Sequence, residues 1–304
     1  MDQCKNGRDA LNMEILLTKA FDAERSSADE TSEFLRILTV RETENDVFEG
    51  AALAKGVGRV FGGQVVAQAL AAAEGTVELS KSPHSFHAYF MRAGDATEAI
   101  SYVVERDRDG RNFSTRRVTA VQRGRPILSA LANFQVAEGG PSHQLRMPDA
   151  PSPEDVAPQV RSGTAKEGGR FRPFEMRPVF GMGSMAAAGA SEPATQYWFR
   201  LNDRLPEDEA IHRRALAYVS DSNLLGAAML PHGIGWQTPG TQTASLDHAL
   251  WIHEPVNLND WHLYATESPW SGHARGLVRG SIFDRDGKLV ASTAQEGLVR
   301  VVVR

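Results

Sequence analysis

The chain has 304 residues, 41% apolar and 23% charged, enough for one large domain or two ordinary ones with a sizeable core. Lys and Arg number 33 against 38 Asp and Glu, a formal charge of −5, which argues against nucleic acid as the main partner because phosphate binding wants a basic stripe. The single cysteine, Cys4, excludes an internal disulfide framework, no apolar run is long enough to span a membrane, and the polar Met1–Ala10 segment lacks a signal core, so a soluble cytoplasmic protein is expected.

In chain order, a loosely held helix could cover Ala10 to Ala28, and Thr31 to Leu38 could form a short one with Thr31 as its cap. Leu38 to Ala51 reads as extended with turns. In the run from Arg59 to Glu74, Val65, Val66, Ala69, Leu70 and Ala73 form one helical face of small and apolar residues, suited to burial against a sheet. Gly62 and Gly63 at its start permit unusual backbone angles and leave amides accessible, and Gly75 should end it. Four strand-like runs follow, His84–Arg92, Ala99–Arg106, Asn112–Arg123 and Pro126–Ala137, separated by the turn signals Ala93-Gly-Asp95, Asp107-Arg-Asp-Gly110 and Arg123-Gly-Arg125. Loops this short predict antiparallel hairpins, hence an α+β unit with a sheet wrapped on one helix.

From Glu138 to about Pro178 the chain turns rich in proline and glycine and reads as a connection. Gln196 to Leu201 then looks like a strand. Asp208 to Asp221 starts with acids and carries Ile211, Ala215 and Val219 on one stripe, as a helix would. Ala244–Glu254, Trp261–Glu267, Ala274–Asp284 and Leu289–Val301 follow as strands. His87-Ala-Tyr-Phe90 matches His248-Ala-Leu-Trp251, and Gly124-Arg-Pro-Ile-Leu-Ser129 matches Gly287-Lys-Leu-Val-Ala-Ser292, at nearly equal offsets, which points to an internal duplication.

Six segments in this order resemble the acyl-CoA thioesterase II family: Val60-Phe-Gly-Gly-Gln-Val-Val-Ala-Gln-Ala-Leu70, His84-Ser-Phe-His-Ala-Tyr-Phe90, Ser220-Asp-Ser-Asn-Leu-Leu225, Pro231-His-Gly233, Ser245-Leu-Asp-His-Ala-Leu-Trp251 and Ala291-Ser-Thr-Ala-Gln-Glu-Gly297. The resemblance covers roughly residues 35–303. It implies an α+β double hot-dog, two tandem helix-plus-antiparallel-sheet repeats forming one continuous sheet. The expected division is an N-terminal extension (1–31), a first repeat (32–138), a linker (139–195) and a second repeat (196–304) that carries the active site. It also implies cofactor-free, metal-free hydrolysis of fatty acyl-CoA to free acid and CoA by a homo-oligomer, a dimer or tetramer. The family's Asp, Ser or Thr, and Gln, which hold the attacking water, fall on Asp221, Ser245 and Gln295.

These residue types suit the chemistry. Hydrolysis of a thioester needs a positioned water, a proton acceptor and oxyanion donors. Asp221 can accept the proton, and an apolar setting would raise its pKa toward the working range. Ser245 and Gln295 each donate and accept, so together they can orient a water. Gly62 and Gly63 are candidate substrate-binding amides, and Leu224, Leu225, Met229, Leu250 and Trp251 are candidate tunnel residues for an acyl tail.

Taken without the family, each has a plainer reading: a helix-end cap for Asp221, a solvent-face hydroxyl for Ser245, an ordinary strand position for Gln295. Asp247 competes with Asp221, although an Asp247–His248 pair reads as structural. His84 falls at the place matching Ser245 and Ala132 near that matching Gln295, so one active site per chain is expected. Arg116, Arg117, Arg275 and Arg279 read as salt-bridge residues or as contacts to CoA phosphates.

Other patterns fare worse. Gly181 to Ala186 fits a dinucleotide fingerprint but lacks a strand–helix context. No Gly-x-Ser-x-Gly elbow occurs. His84 with His87, and His248 with His253, lack further metal ligands. Asp208 and His212 suggest a capping ion pair. The rival functions are an enoyl-thioester hydratase or dehydratase of the same fold, which would recruit His84 or His248, and a non-catalytic acyl-CoA binding protein.

Overall fold

The computed structural model describes residues 30–53, 58–158, 173–181, 192–236 and 238–302. The helix expected at Ala10–Ala28 and nearly all of the Gly181–Ala186 stretch lie outside them. Residues 30–38 are helical (α1). Thr31 lies inside this helix instead of capping it, and its hydroxyl donates to Asp203 at 3.2 Å, tying the first half to the second. Strands β1 (Val40–Glu44) and β2 (Val47–Gly50) pair as a hairpin, with Asp46 at φ 59° in its turn.

Helix α2 (Gly62–Glu74) is buried from Gly63 to Ala73. Its alanines let the sheet approach closely, while burial of Val65, Val66 and Leu70 contributes roughly 1.5–3 kcal/mol each. Strands β3 (Lys81–Phe90), β4 (Ile100–Asp109), β5 (Phe113–Gln122) and β6 (Arg125–Val136) wrap it. Two of the three expected hairpins form. The turn at Ala93-Gly-Asp95 is instead a crossover, because β3 pairs with β6 while β4 pairs with β2 and β5. Gln122 clamps this crossover: its Oε1 accepts from the Asp95 N–H at 2.8 Å and its Nε2 donates to the Asp95 carbonyl at 3.0 Å.

The second half repeats the plan. Its elements are β7 (Phe174–Phe180), β8 (Ala194–Leu201), α3 (Glu209–Ser220), α4 (Gly226–Met229), β9 (Thr241–Ser245), β10 (Asp247–Ile252), β11 (His262–Gly272), β12 (Arg275–Asp284) and β13 (Leu289–Val301). The order β1-β2-β4-β5-β6-β3 in the first half is matched by β7-β8-β11-β12-β13-β10 in the second. Antiparallel pairing of β3 with β10, His87 opposite Ala249, joins them into one 13-stranded sheet. This is the double hot-dog the resemblance implies. Strand β7 lies within the stretch read as linker, so regular structure in the second half begins at Phe174. Residues 139–158 cross the outer face of that half. There Trp198 Nε1 donates to the Pro151 carbonyl at 2.9 Å, and Met147 and Val156 pack on Trp198, Trp261, Leu263 and Phe283.

Helices α2 and α3 lie antiparallel inside the curve of the sheet. At one end Glu74 bridges Arg213 at 3.2 Å and Arg214 at 2.6 Å; at the other, Gly62 and Gly63 abut Tyr218 and Asp221. Asp208 caps α3 by accepting from the N–H groups of Ala210 and Ile211. The ion pair expected with His212 does not form: that ring turns inward and its Nδ1 accepts from the Leu258 N–H.

Candidate active site

Three elements meet where α2 begins and α3 ends. Asp221 is the C-cap of α3, Ser245 closes β9, and Gln295 lies on the inward face of β13. All three face one another. Ser245 Oγ donates to Asp221 Oδ1 at 3.4 Å, and Gln295 Nε2 donates to Ser245 Oγ at 2.8 Å. Asp221 is 8% exposed and Gln295 2%.

Ser245 reaches this face because the expected continuous strand Ala244–Glu254 is broken. Side chains three apart on a regular strand point to opposite sides of the sheet. Leu246 interrupts the ladder, its N–H donating to the Glu296 carbonyl and its carbonyl accepting from the Phe90 N–H, both at 2.9 Å. The break turns Ser245 and His248 to the same side, so both touch Gln295.

The carboxyl of Asp221 is pushed above the usual carboxylate range, chiefly by burial. His248, the Gln295 amide, the Gly63 N–H and the Ser245 hydroxyl oppose that shift by favouring the charged form. Of the two glycine amides expected to be free, that of Gly63 is engaged by Asp221. Both positions require glycine for space. A Cβ on Gly62 would stand 2.6 Å from Asp221 Oδ2, and one on Gly63 would overlap the Tyr218 carbonyl oxygen.

His248 is the site residue that sequence reasoning set aside. It is 1% exposed and lies between Gln295 Oε1, 2.7 Å from Nδ1, and Ser220 Oγ, 2.9 Å from Nε2. It makes no bond to Asp247, whose carboxylate accepts from the Glu296 N–H at 2.6 Å. The usable signal was the alternation of β10: Leu250 was read as inward, and His248 shares its face.

The same alternation corrects Trp251. Leu224, Leu225, Met229 and Leu250 are buried, as an apolar wall would be. Trp251 follows Leu250 on the strand and so points to the outer face, its ring centroid 4.9 Å from that of His87. Strand alternation places it on the opposite side of the sheet from Leu250. Among the basic candidates, Arg116 is buried and fully engaged inside the first half, Arg117 pairs with Asp107, and Arg275 pairs with Glu296. Among the described residues no group of three or more His, Cys, Asp and Glu is placed to hold a metal ion.

Two family models match this chain: one described as acyl-CoA thioesterase over residues 172–298, and one as acyl-CoA thioesterase N-terminal domain over residues 53–135. The chain is 39% identical to acyl-CoA thioesterase 2 of Haemophilus influenzae over 90% of its own length and 99% of that protein's. It is 40% identical to the crystal structure of an acyl-CoA thioesterase II from Mycobacterium marinum, with a TM-score of 0.75, over 88% of this chain and 98% of that one. A protein of unknown function with a hot dog fold from Alicyclobacillus acidocaldarius shares the fold at 20% identity, with a TM-score of 0.75, over 89% of this chain and 98% of that one. Duplicated topology, matching models for both halves and relatives aligned over nearly their whole length lead to one conclusion: this chain belongs to the acyl-CoA thioesterase family.

Proposed function

We propose that this protein hydrolyses fatty acyl-CoA to free fatty acid and CoA with a water held and activated by Asp221, Ser245 and Gln295, at one site per chain in the second repeat (196–304). Family membership carries the reaction class, acyl-CoA thioester hydrolysis. The observation that carries the residue assignment is the convergence of a carboxylate, a hydroxyl and an amide from α3, β9 and β13 beside a buried apolar wall.

In this reading Asp221 takes a proton as the water oxygen attacks the thioester carbonyl, and the C–S bond then breaks to release the CoA thiolate. The Ser245–Asp221 contact of 3.4 Å is long for an O–H···O bond, so a water drawn to the carboxylate competes for it readily. Ser245 and Gln295 fix that water's orientation. The Gly63 N–H holds the base in place, and Leu224, Leu225 and Leu250 suit the acyl chain. The homo-oligomer, a dimer or tetramer, is part of the same reading, supported by exposed Tyr89 and Leu131 on the outer face of the first half. So is a reducing compartment such as the cytoplasm, on the single cysteine. No helix among the described residues is long and apolar enough to cross a membrane.

A thiol-release assay on saturated acyl-CoA of several chain lengths tests the reading. Wild type should release thiol, and Asp221→Ala should lose activity on the order of 10³-fold while keeping the wild-type circular dichroism spectrum. Full activity in that variant sinks the assignment. Water addition to enoyl-CoA without thiol release would favour a hydratase, and tight binding without turnover a binding protein.

A further inference from the structure

A backbone carbonyl can only accept, so a hydroxyl bonded to it must be the donor and spends its single proton there. Two buried hydroxyls are spent in this way on the turn that carries Asp221. Tyr264 Oη donates to the Ser220 carbonyl at 2.8 Å, and Tyr197 Oη donates to the Ser222 carbonyl at 2.9 Å. The two tyrosines stand directly opposite each other on β11 and β8, fully buried, their ring centroids 5.4 Å apart. Burial holds both phenols above the ordinary tyrosine range, so each keeps its proton. With that proton committed to Ser220, Tyr264 Oη accepts from the Thr293 hydroxyl at 2.8 Å.

The regular ladder of α3 ends before Asp221, which is its cap, and the chain turns away at Asn223, φ 57°. Other bonds must therefore hold the turn. The Ser220 carbonyl belongs to the peptide plane entering Asp221, the Ser222 N–H to the plane leaving it, and the Ser222 carbonyl to the plane after that. Tyr264 holds the first plane, the Val219 carbonyl holds the second by accepting from the Ser222 N–H at 2.8 Å, and Tyr197 holds the third. Loss of either phenol hydroxyl leaves a buried carbonyl unpaired, and the turn gains by rotating toward another partner, carrying the Asp221 carboxylate with it.

The scaffold itself does not ask for these hydroxyls. In the first half Phe48 stands opposite Tyr102 on β2 and β4, where Tyr197 stands opposite Tyr264 on β8 and β11. Phe48 is buried and has no hydroxyl. Tyr102 donates to the Gln68 side chain at 2.8 Å, within α2 instead of at its end. The half without the carboxylate lacks both grips.

We infer that Tyr197 and Tyr264 are positioning residues that aim the Asp221 carboxylate by holding the carbonyls of the residues on either side of it. This rests on the assignment of Asp221 made above.

The test is steady-state kinetics on the full chain with a saturated acyl-CoA, with melting temperatures recorded in parallel. Tyr264→Phe and Tyr197→Phe should each lower kcat on the order of 10- to 100-fold and leave KM within about threefold, because the base is misplaced while substrate contacts stay. Tyr102→Phe removes an equally buried hydroxyl bond far from the turn. It should lower the melting temperature by about 2–4 °C, as the other two do, yet keep kcat within about twofold of wild type.

Full kcat in both Tyr264→Phe and Tyr197→Phe overturns the inference. So does a loss confined to KM, or an equal fall in kcat in Tyr102→Phe, which would mean that any buried hydroxyl matters as much. Should Tyr264→Phe fail to fold, Tyr197→Phe decides, since Phe48 shows that the scaffold holds phenylalanine at that place. If Asp221→Ala stays active, the assignment of the base fails and this inference falls with it. If Asp221→Ala loses activity while the tyrosine variants do not, the inference alone fails.

Discussion

At the end of α2 the hydroxyl of Thr76 donates to the carbonyl of Ala73, three residues back; at the end of α3 the hydroxyl of Ser220 stands in the same relation to Ala217. From these two matching turns the halves diverge. Thr76 takes its second partner from the Nε of Arg116, whereas Ser220 takes His248. Val77 follows Thr76 where Asp221 follows Ser220. Pro83 faces Phe134 across β3 and β6, where Ser245 faces Gly297 across β9 and β13. Ala132 lies opposite Phe86 and beside Arg116, as Gln295 lies by His248 and beside Val278. One scaffold therefore holds two equivalent places. One is filled by apolar side chains and a bonded guanidinium, the other by a carboxylate, a hydroxyl, an amide and an imidazole. The backbone alone does not make a site; four side chains and a break at Leu246 do.

The largest contrast should appear on replacing Asp221 by Asn. Loss of the proposed proton acceptor should lower kcat/KM on the order of 10³-fold. In wild type, burial raises the Asp221 carboxyl, so activity should fall on acidification through a pH above the ordinary carboxylate range near ~4. The sign for stability follows from the same shift. A carboxyl that is harder to ionise when folded penalises the folded state as pH rises from its unfolded value through its raised folded value, and the penalty is absent below the unfolded value. Asp221→Asn should therefore melt higher than wild type at neutral pH, and the gap should shrink on acidification. Melting curves at several pH values check this; a variant less stable than wild type at neutral pH would contradict it.

Much of this was legible in the sequence because period and punctuation carry it. The apolar face of α2, the cap at Asp208 and the Asp-Gly turns place the elements, and β13 spans the predicted Leu289–Val301. The duplication was legible too, but one residue out of phase in β3. Matching His87 to His248 pairs an exposed residue with a buried one, whereas burial equates Phe86 with His248 and Pro83, not His84, with Ser245. That slip follows from strand chemistry, since neighbouring residues differ by a whole face and letters alone do not show which face is inward. The roles of His248 and Trp251 depend on the same phase. The crossover after β3 was illegible because a short glycine turn serves a hairpin and a crossover equally. What selects the crossover is long-range, the exchange of bonds between Gln122 and Asp95.

Glycines at opposite ends of α2 offer a finer comparison. Gly62→Ala would place a Cβ 2.6 Å from Asp221 Oδ2 and 3.1 Å from the Phe90 ring. Displacing the proposed base by a few tenths of an ångström or more should lower kcat by about 10- to 100-fold. Gly75 has φ −61°, accessible to any residue, and its added Cβ would press the Phe48 ring at 2.9 Å. Gly75→Ala should thus cost about 1–3 kcal/mol of stability from overpacking, with activity per folded molecule within about twofold of wild type. Denaturant melts and active-site-normalised rates separate the two; equal losses of kcat in both variants would mean that α2 transmits strain along its whole length.

The smallest effect on turnover should come from Arg116, and its smallness is the informative part. The side chain is 1% exposed, with Nε bonded to Thr76 Oγ1 at 2.8 Å and Nη2 to the Thr76 carbonyl at 3.0 Å and Asp109 Oδ1 at 2.6 Å. It does at the end of α2 what a helix end otherwise asks of solvent, satisfying the last groups of a buried terminus. Arg116→Met keeps most of the volume but orphans the Thr76 carbonyl, which should cost about 1–3 kcal/mol. Asp109 is largely exposed and can return to water, so it adds little. No atom of Asp221, Ser245 or Gln295 is in contact with Arg116, so kcat and KM for acyl-CoA should stay within about twofold of wild type once folded protein is quantified. A large fall in kcat with an unchanged melting temperature would instead make the matching place in the first half part of the working site, and the contrast between the two helix ends would have to be redrawn around a guanidinium that reaches substrate.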